Sequence, residues 1–447
     1  IIMSLINHIF HTQVSASKQK VYANIYWAVL GKCVTLLSSL IVGIIVARYL
    51  GKEQYGLMNY VMSIVAIFQV FAHFGIDNIQ IREEARHIEN KDVLIGTSFV
   101  LKLVMAAIVL ASICVYTFLF QNDSQTRLLI LLYSITVVFN TSWVIRNHFS
   151  AIVWNEYVVK TEISRTVVGL LVKLALLYLH APLEWFVAAL VFDSILLAIG
   201  YALSYRSKID KISKWSFDIK CAKYILEQSF PLLLSGAAIV IYNKIDQVMI
   251  GTLLDKASVG VYSVAVRFVE VLVFVPTIIA QTVSPLLVKA LKENLEKYDR
   301  LATVFMSVTV WFCVIASVLV SVLSYPIVLL TFGPEYICAA VVLSIMSFKV
   351  IGDALSQTSG QLIIIEGKQK YVSLRNVFGC VVCIVLNYLV IRPYGVNGAA
   401  VVSIVTIFSS GFLANLFIPL YRDVFVKQVA SLVLGWRNVF NIKSYLS

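Results

Sequence analysis

Apolar runs of about twenty residues recur along the chain, separated by short gaps that collect most of its charge. A helix needs roughly 20 apolar residues to cross the hydrocarbon core of a bilayer. About a dozen such runs fall between Ile25 and Leu420. They predict spans near 25–46, 57–80, 94–120, 128–150, 160–180 and 184–205, then 226–251, 259–288, 301–325, 327–364, 372–392 and 396–421. The tenth is too long for one straight crossing, and its stretch from Thr331 to Tyr336 is expected as a loop. A basic, polar segment at 206–224 separates two sets of six.

This pattern predicts an all-α integral membrane protein of about twelve transmembrane helices in two six-helix lobes around a central cavity. Its expected divisions are a segment at 1–24, an N-lobe at 25–205, a linker at 206–224, a C-lobe at 225–422 and a tail at 423–447. Residues 1–24 show no small-residue cleavage site behind a short apolar core, so the first long run is expected to stay as an anchor. The tail reads as an amphipathic helix on the membrane surface or as plain basic anchoring, and the linker reads likewise.

Composition sharpens the class. Sixty percent of the residues are hydrophobic and 13% charged, with a mean hydropathy of +0.88. Soluble domains carry about 25% charge. The net charge of +12 does not imply nucleic acid, because the basic residues lie between apolar runs and form no single patch. Seven cysteines fall mostly inside those runs, and Cys380 and Cys383 read as packing rather than as metal ligands. There is no G-x-x-x-x-G-K-[ST], no D-x-D for a metal-bound sugar nucleotide and no H-E-x-x-H, and no cofactor is implied.

Charge also orients the chain. With the N-terminus placed in the cytoplasm, the inner segments hold 25 Lys and Arg and the outer ones 5. Positive residues favour the cytoplasmic face. Both termini are therefore expected inside, in a multi-pass membrane protein. The outer loops are short, which leaves no room for an extramembrane catalytic domain.

One internal similarity stands out. Leu50-Gly51-Lys52-Glu53-Gln54-Tyr55-Gly56 aligns with Leu254-Asp255-Lys256-Ala257-Ser258-Val259-Gly260, each after the first helix of its set. Chance similarity of two short loops is the alternative. An even number of helices per unit makes the repeats parallel, related by an axis along the membrane normal, which is a transporter architecture.

Several segments together resemble a known family. They are Arg48 to Tyr60, Phe74-Gly75-Ile76-Asp77-Asn78 with Arg82-Glu83, Ile245 to Gly251 leading to Val259 to Ser263, Phe332 to Tyr336, and Asn387-Tyr388 through Pro393 to Ala400. In this order they resemble the Wzx-type flippases, in the polysaccharide-transport branch of the multidrug/oligosaccharidyl-lipid/polysaccharide (MOP) exporter superfamily. The resemblance implies flipping of an undecaprenyl-diphosphate-linked oligosaccharide between leaflets, with no enzymatic step. It also implies contact with membrane lipid and, as partners, the polysaccharide polymerase and chain-length machinery.

Ionisable groups inside a bilayer cost roughly 2.5–3.5 kcal/mol on insertion scales and so mark function or pairing. Lys32, Lys102 and Lys173 lie in helices 1, 3 and 5, where each either lines a cavity or snorkels to phosphates. Asn24, Lys32, Thr35 and Ser39 make a polar stripe on helix 1. Helix 7 has one through Gln228, Ser235, Asn243 and Asp246. Lys244 and Asp246 are two apart and need separate partners, whereas Arg267 and Glu270, and Lys349 and Asp353, are spaced to pair. Asp193 reads more readily as a structural hydrogen bond to a neighbouring helix. In the family the cavity is lined mainly by helices 1, 2, 7 and 8, which favours Lys32, Lys244, Asp246, Arg267 and Glu270 over Lys102 and Lys173. A diphosphate headgroup must shed water to cross, and a wet cationic cavity replaces part of that hydration. Ion coupling would then fall to Asp246 or Glu270. The alternatives are a drug or cation exporter of the same superfamily, which would favour acidic cavities, and a polytopic polymerase or glycosyltransferase, which would need a larger outer loop.

Overall fold

In a computed structural model of the chain, the backbone is described for residues 16–86 and 90–440, with the side chain of Trp27 and those of residues 30–86, except Lys32, and 90–437. Every regular element among the described residues is a helix. The first long run, Ala16–His73, is bent at Gly51, whose φ of 71° and ψ of 169° stop one helix and start the next. Its halves are α1 (16–50) and α2 (52–73, resumed as Ile76–Arg86 after a break). Then follow α3 (Lys91–Phe120), α4 (Ser124–Ala151), α5 (Asn155–Tyr178) and α6 (Leu183–Lys208). The second set comprises α7 (Ile219–Leu253), α8 (Lys256–Glu293), α9 (Leu295–Val322) and α10 (Ala339–Ile365). Val372–Phe408 bends at Gly395, φ 59°, into α11 (372–394) and α12, which runs on to Phe417. A further helix, α13 (Arg422–Val433), buries Val424, Gln428 and Ser431, and a short helix, Gly435–Phe440, follows it.

Nine of the described helices are long and apolar enough to cross a membrane, and two of these contain the bends at Gly51 and Gly395. Helix α5 carries too many charged residues to stand out by apolarity, yet it has spanning length and packs on α6 and on α1, where Gly31 lies against Val159. The described chain thus makes twelve crossings. The expected loop near 331–336 is present as Phe332 and Gly333 followed by one 3₁₀ turn, Pro334–Tyr336, and a short helix, Ser324–Thr331, precedes it.

The two halves meet chiefly through α1 and α2 against α7 and α8. At the outer ends, the face with few Lys and Arg, the aligned loops touch each other. A Cβ on Gly56 would lie 1.7 Å from the Lys256 carbonyl oxygen, and one on Gly260 would lie 2.1 Å from that of Lys52. Gly56 and Gly260, like Lys52 and Lys256, are 204 positions apart. Residue i of one half therefore meets residue j of the other, and j meets i, which is the signature of a two-fold contact. Tyr60 extends this seal: its ring covers Gly251, its hydroxyl lies 3.3 Å from Thr252 Oγ1, and the Lys256 ammonium sits 3.0 Å from the ring centroid. Glu335 accepts from the Lys52 amide at 3.2 Å, and the Tyr336 hydroxyl donates to Ala47 O at 2.9 Å, tying the outer loop of the second half to the first.

Candidate functional site

Inside the outer seal two cavities adjoin. One, of about 220 Å³, lies between α2, α4, α7 and α8 and is lined by Asn59, Ser63, Tyr133, Lys244, Gln247, Arg267 and Glu270 among others. Ser63 donates to Gln247 at its outer edge, and Gln247 donates to Ser263 at 3.1 Å. The second, of about 210 Å³, lies inside the N-terminal half and is lined by Thr35, Ser39, Arg165, Lys173, Asp193 and Arg267 among others. Arg267 belongs to both. Gly43 of α1 lies beside it, where a Cβ would be in ordinary contact with the guanidinium Nε at 3.5 Å.

The charges are arranged around that shared guanidinium. Glu270, one turn along α8, lies 3.5 Å from Arg267 and 3.5 Å from Lys244 of α7, so one carboxylate serves two cations. Across the second cavity Lys173 donates to Asp193 at 2.6 Å, and Arg165 is 3.9 Å from the same carboxylate. Gly169 lies on α5 between these cations, and the Asp193 carboxylate oxygen occupies the place where its Cβ would be, at 2.2 Å. The two cavities together hold four cationic side chains, Arg165, Lys173, Lys244 and Arg267, against two carboxylates, Asp193 and Glu270. Hydroxyls of Thr35, Ser38 and Ser39 and apolar walls from Val42, Phe186 and Leu190 complete the lining.

Of the residues singled out from sequence, Lys173, Lys244, Arg267 and Glu270 line these cavities. The side chains of Lys32 and Asn24 lie outside the described residues. Lys102 does not reach the cavities. It is 1% exposed and donates to Asp77 of α2 within the N-terminal half, so its charge is matched by a structural partner. Asp246 points away from Lys244, as the two-residue spacing requires. It is buried in the C-terminal half, accepting from the Tyr262 hydroxyl at 2.7 Å and the Asn387 amide at 2.6 Å, with Cys383 Sγ at 3.3 Å. The spacing of Lys349 and Asp353 allows a pair, but Lys349 instead donates to Asn243 at 3.2 Å, and Asp353 keeps a buried carboxylate oxygen with no hydrogen-bond partner. Asp193 makes the expected hydrogen bond to a neighbouring helix, and it does so on a cavity wall. Arg165 falls within the span expected at 160–180 but is not singled out there. The helical start at Asn155 carries it three turns into α5, and only its approach to Asp193 of α6, 28 residues away, marks it as a cavity residue.

A polar network fills the inner half of the N-terminal set. Asp77 accepts from Lys102 of α3 and from Asn147 of α4 at 2.6 Å. Asn147 also donates to Gln80 at 3.0 Å, Gln80 to Glu84 at 2.7 Å, and Glu84 lies 2.6 Å from His148 Nδ1. Among the described residues no cluster of His, Cys, Asp and Glu is placed to hold a metal ion.

Residues 21–291 match the polysaccharide biosynthesis protein family, and residues 231–389 match the MatE family. The chain belongs to the polysaccharide biosynthesis protein family. Its fold is shared with transporters of the MOP superfamily. A solved structure of the lipid II flippase MurJ, in an inward closed conformation, is similar with a TM-score of 0.71 at 16% identity, over 92% of each chain. An inward-facing multidrug resistance MATE family transporter is similar with a TM-score of 0.69 at 13% identity, over 90% of this chain and 95% of that one. A MOP superfamily transporter from Pyrococcus furiosus, described by the reverse polarity of its binding pocket, gives a TM-score of 0.56 at 14% identity over 94% and 96%. No curated protein matches the chain. This polysaccharide biosynthesis protein is thus an all-α, multi-pass membrane protein that shares its fold with transporters of the MOP superfamily.

Proposed function

We propose that the chain flips an undecaprenyl-diphosphate-linked oligosaccharide repeat unit, of O-antigen or a similar surface polysaccharide, from the inner to the outer leaflet by alternating access. One observation carries this reading: the joined cavities hold four cations against two carboxylates, centred on Arg267. The surplus of two positive charges matches the roughly two negative charges of a diphosphate. Ionised phosphate oxygens make the strongest hydrogen bonds with such donors once both are out of bulk water. The Thr35, Ser38 and Ser39 hydroxyls beside them suit sugar, and the polyprenyl tail stays in lipid beside the lobes. A drug or cation exporter fits less well, because a cationic cargo would meet the same surplus as repulsion.

Coupling to an ion gradient is assigned to Asp246 rather than Glu270. An acid that trades its charge needs neighbours that tolerate both states. Glu270 is shared between two cations, whereas the hydrogen-bond partners of Asp246 are a phenol, an amide and a thiol.

The test replaces Lys244, Arg267 and Arg165 singly by Ala and follows surface polysaccharide in a host whose own flippase is deleted. Loss of a close charge-assisted contact is worth about 1.5–3 kcal/mol, which is a tenfold or greater fall in transport at limiting substrate. Normal polymer from all three variants at normal protein levels would remove the cationic path.

A further inference from the structure

Helix α2 is broken in its inner half. Phe74 and Gly75 stand consecutively in the left-handed region, with φ of 49° and 73°. A non-glycine residue there is strained, and strain of this kind persists only where the surroundings enforce it. What surrounds the break is the other half of the transporter. A Cβ on Gly75 would lie 2.9 Å from the Ser229 carbonyl oxygen of α7 and 3.1 Å from the Leu233 nitrogen. The break is thus the place where α2 meets the inner end of α7.

Two titratable side chains straddle it. His73 ends the outer segment of α2, and Asp77 opens the inner one. The imidazole Nδ1 is 3.4 Å from Asp77 Oδ2, within ion-pair range but without a formed hydrogen bond. The other imidazole nitrogen lies 3.2 Å from the Gln69 amide nitrogen. His73 also continues the face of α2 that lines the central cavity, since Asn59, Ser63 and Ala66 repeat at helical spacing and lead to Val70 and His73. Its side chain is 18% exposed. His148, the second histidine of this network, is 1% exposed and sits 2.6 Å from Glu84, which denies it the access to water that proton exchange needs.

We propose that His73 is a proton-binding site of the transporter, and that its proton tightens the His73–Asp77 pair across the break and so holds α2 against α7 at the inner gate. The charged groups around it set the balance. Asp77 attracts the proton. Lys102 of α3, bound to the same carboxylate, opposes it, as does Arg146 of α4, which stacks 5.4 Å from the Trp143 ring that itself lies 4.8 Å from the imidazole. Glu162 of α5 offsets Arg146 at 3.5 Å. From α7, the backbone at Ser229 and Leu233 and the Leu232 side chain meet Gly75, and the uncharged side chains of Gln228 and Tyr224 reach Arg82 and Glu83 further along the inner segment of α2. Lys102 and Asn147 fix the far side of Asp77, so a charge gained by His73 acts on the hinge and not on the position of the carboxylate. Histidine is the side chain whose charge changes within the range that a transmembrane proton gradient spans. The proposal does not depend on which cargo the cavities carry.

The experiment uses the full chain in lipid nanodiscs without cargo. Spin labels at Arg86→Cys and Glu227→Cys, both exposed, on a background free of native cysteines, report the distance between the inner ends of α2 and α7. The short-distance population is expected to grow from pH 8.5 to pH 5.5, by about tenfold for each pKa unit that closure adds to His73. The same titration in His73→Gln is expected to be flat, and Asp77→Asn is expected to be flat although its histidine still titrates. A distance distribution that does not change with pH in the otherwise unaltered chain would overturn the proposal without any hinge variant. An unchanged pH response in His73→Gln would overturn it as well. A pH response that survives while polysaccharide export is unaffected by the cavity variants would sink the cargo assignment and leave this site standing.

Discussion

Lys102 shows why a charge in an apolar run is not by itself a transport residue. Its ammonium is 1% exposed, and Asp77 meets it from the neighbouring helix. The pair is stabilising only as a pair. Removing one member of a buried ion pair typically costs 3–5 kcal/mol, because the other charge is left without compensation, whereas replacing both by apolar groups can be nearly neutral. Lys102→Met is therefore expected to lower the stability of the purified protein by about that amount, seen as loss of the folded fraction in a thermal denaturation in detergent. Lys102→Met combined with Asp77→Leu is expected to recover most of it, though not the pH response of the hinge. If the single variant were as stable as the parent while transport fell, Lys102 would belong to the cargo path after all. Lys173 has the opposite character. It also holds a carboxylate, Asp193, but it does so on a cavity wall beside Arg165, so its loss is expected to cost transport more than folding.

At the scale of elements, the contact between Gly56 at the start of α2 and Gly260 at the start of α8 decides how closely the outer ends can approach. Each has a backbone oxygen of the other half where a side chain would stand. No rotamer relieves a clash between a Cβ and a carbonyl oxygen, so the helices themselves must part. Gly56→Val is expected to open the outer seal and to destabilise this conformation. Reactivity of a cysteine placed at Thr252, beside the seal, toward a membrane-impermeant maleimide should rise several-fold. No change in that reactivity would mean that the outer ends do not meet as described. The positions of these helices were legible in the sequence because each crossing needs its own apolar run, and the bends at Gly51 and Gly395 fall where polar gaps interrupt those runs. The repeat was legible because the glycines are forced by the contact they make. The break at Phe74–Gly75 was not, since both residues suit an apolar helix and only the approach of α7 explains the strain. The composition of the cavity was half legible. Lys244, Arg267 and Glu270 lie on helices that the family resemblance favoured, but Lys102 and Lys173 look alike in sequence, and only the partners Asp77 and Asp193, 25 and 20 residues away, tell them apart. Lys349 likewise turns from its helical neighbour to Asn243, 106 residues away.

For the whole molecule, orientation in the membrane joins these parts into a cycle. The seal made by Gly56, Gly260, Tyr60 and Glu335 lies on the face with few basic residues, and the hinge of α2 on the face with many. If basic residues mark the cytoplasm, the described state is closed to the outside, as loading of the proposed cargo from the inner leaflet requires. The inner part of α8 agrees with this direction, since Gln281, Thr282, Pro285 and Leu286 are exposed there. One native side chain can settle the orientation. Cys338 is exposed in the segment after Gly333 that packs at the seal, and it is the only exposed cysteine among the described residues; the others are buried or partly buried. In right-side-out vesicles a membrane-impermeant maleimide is expected to label Cys338 readily, and Cys338→Ser is expected to abolish most of that labelling. In inverted vesicles the same reagent should react only after the membrane is permeabilised. Labelling from the inverted side alone would turn the transporter over. The two-fold seal would then close the cytoplasmic entrance, and a cationic cavity reached from outside could not load a lipid-linked oligosaccharide made in the cytoplasm.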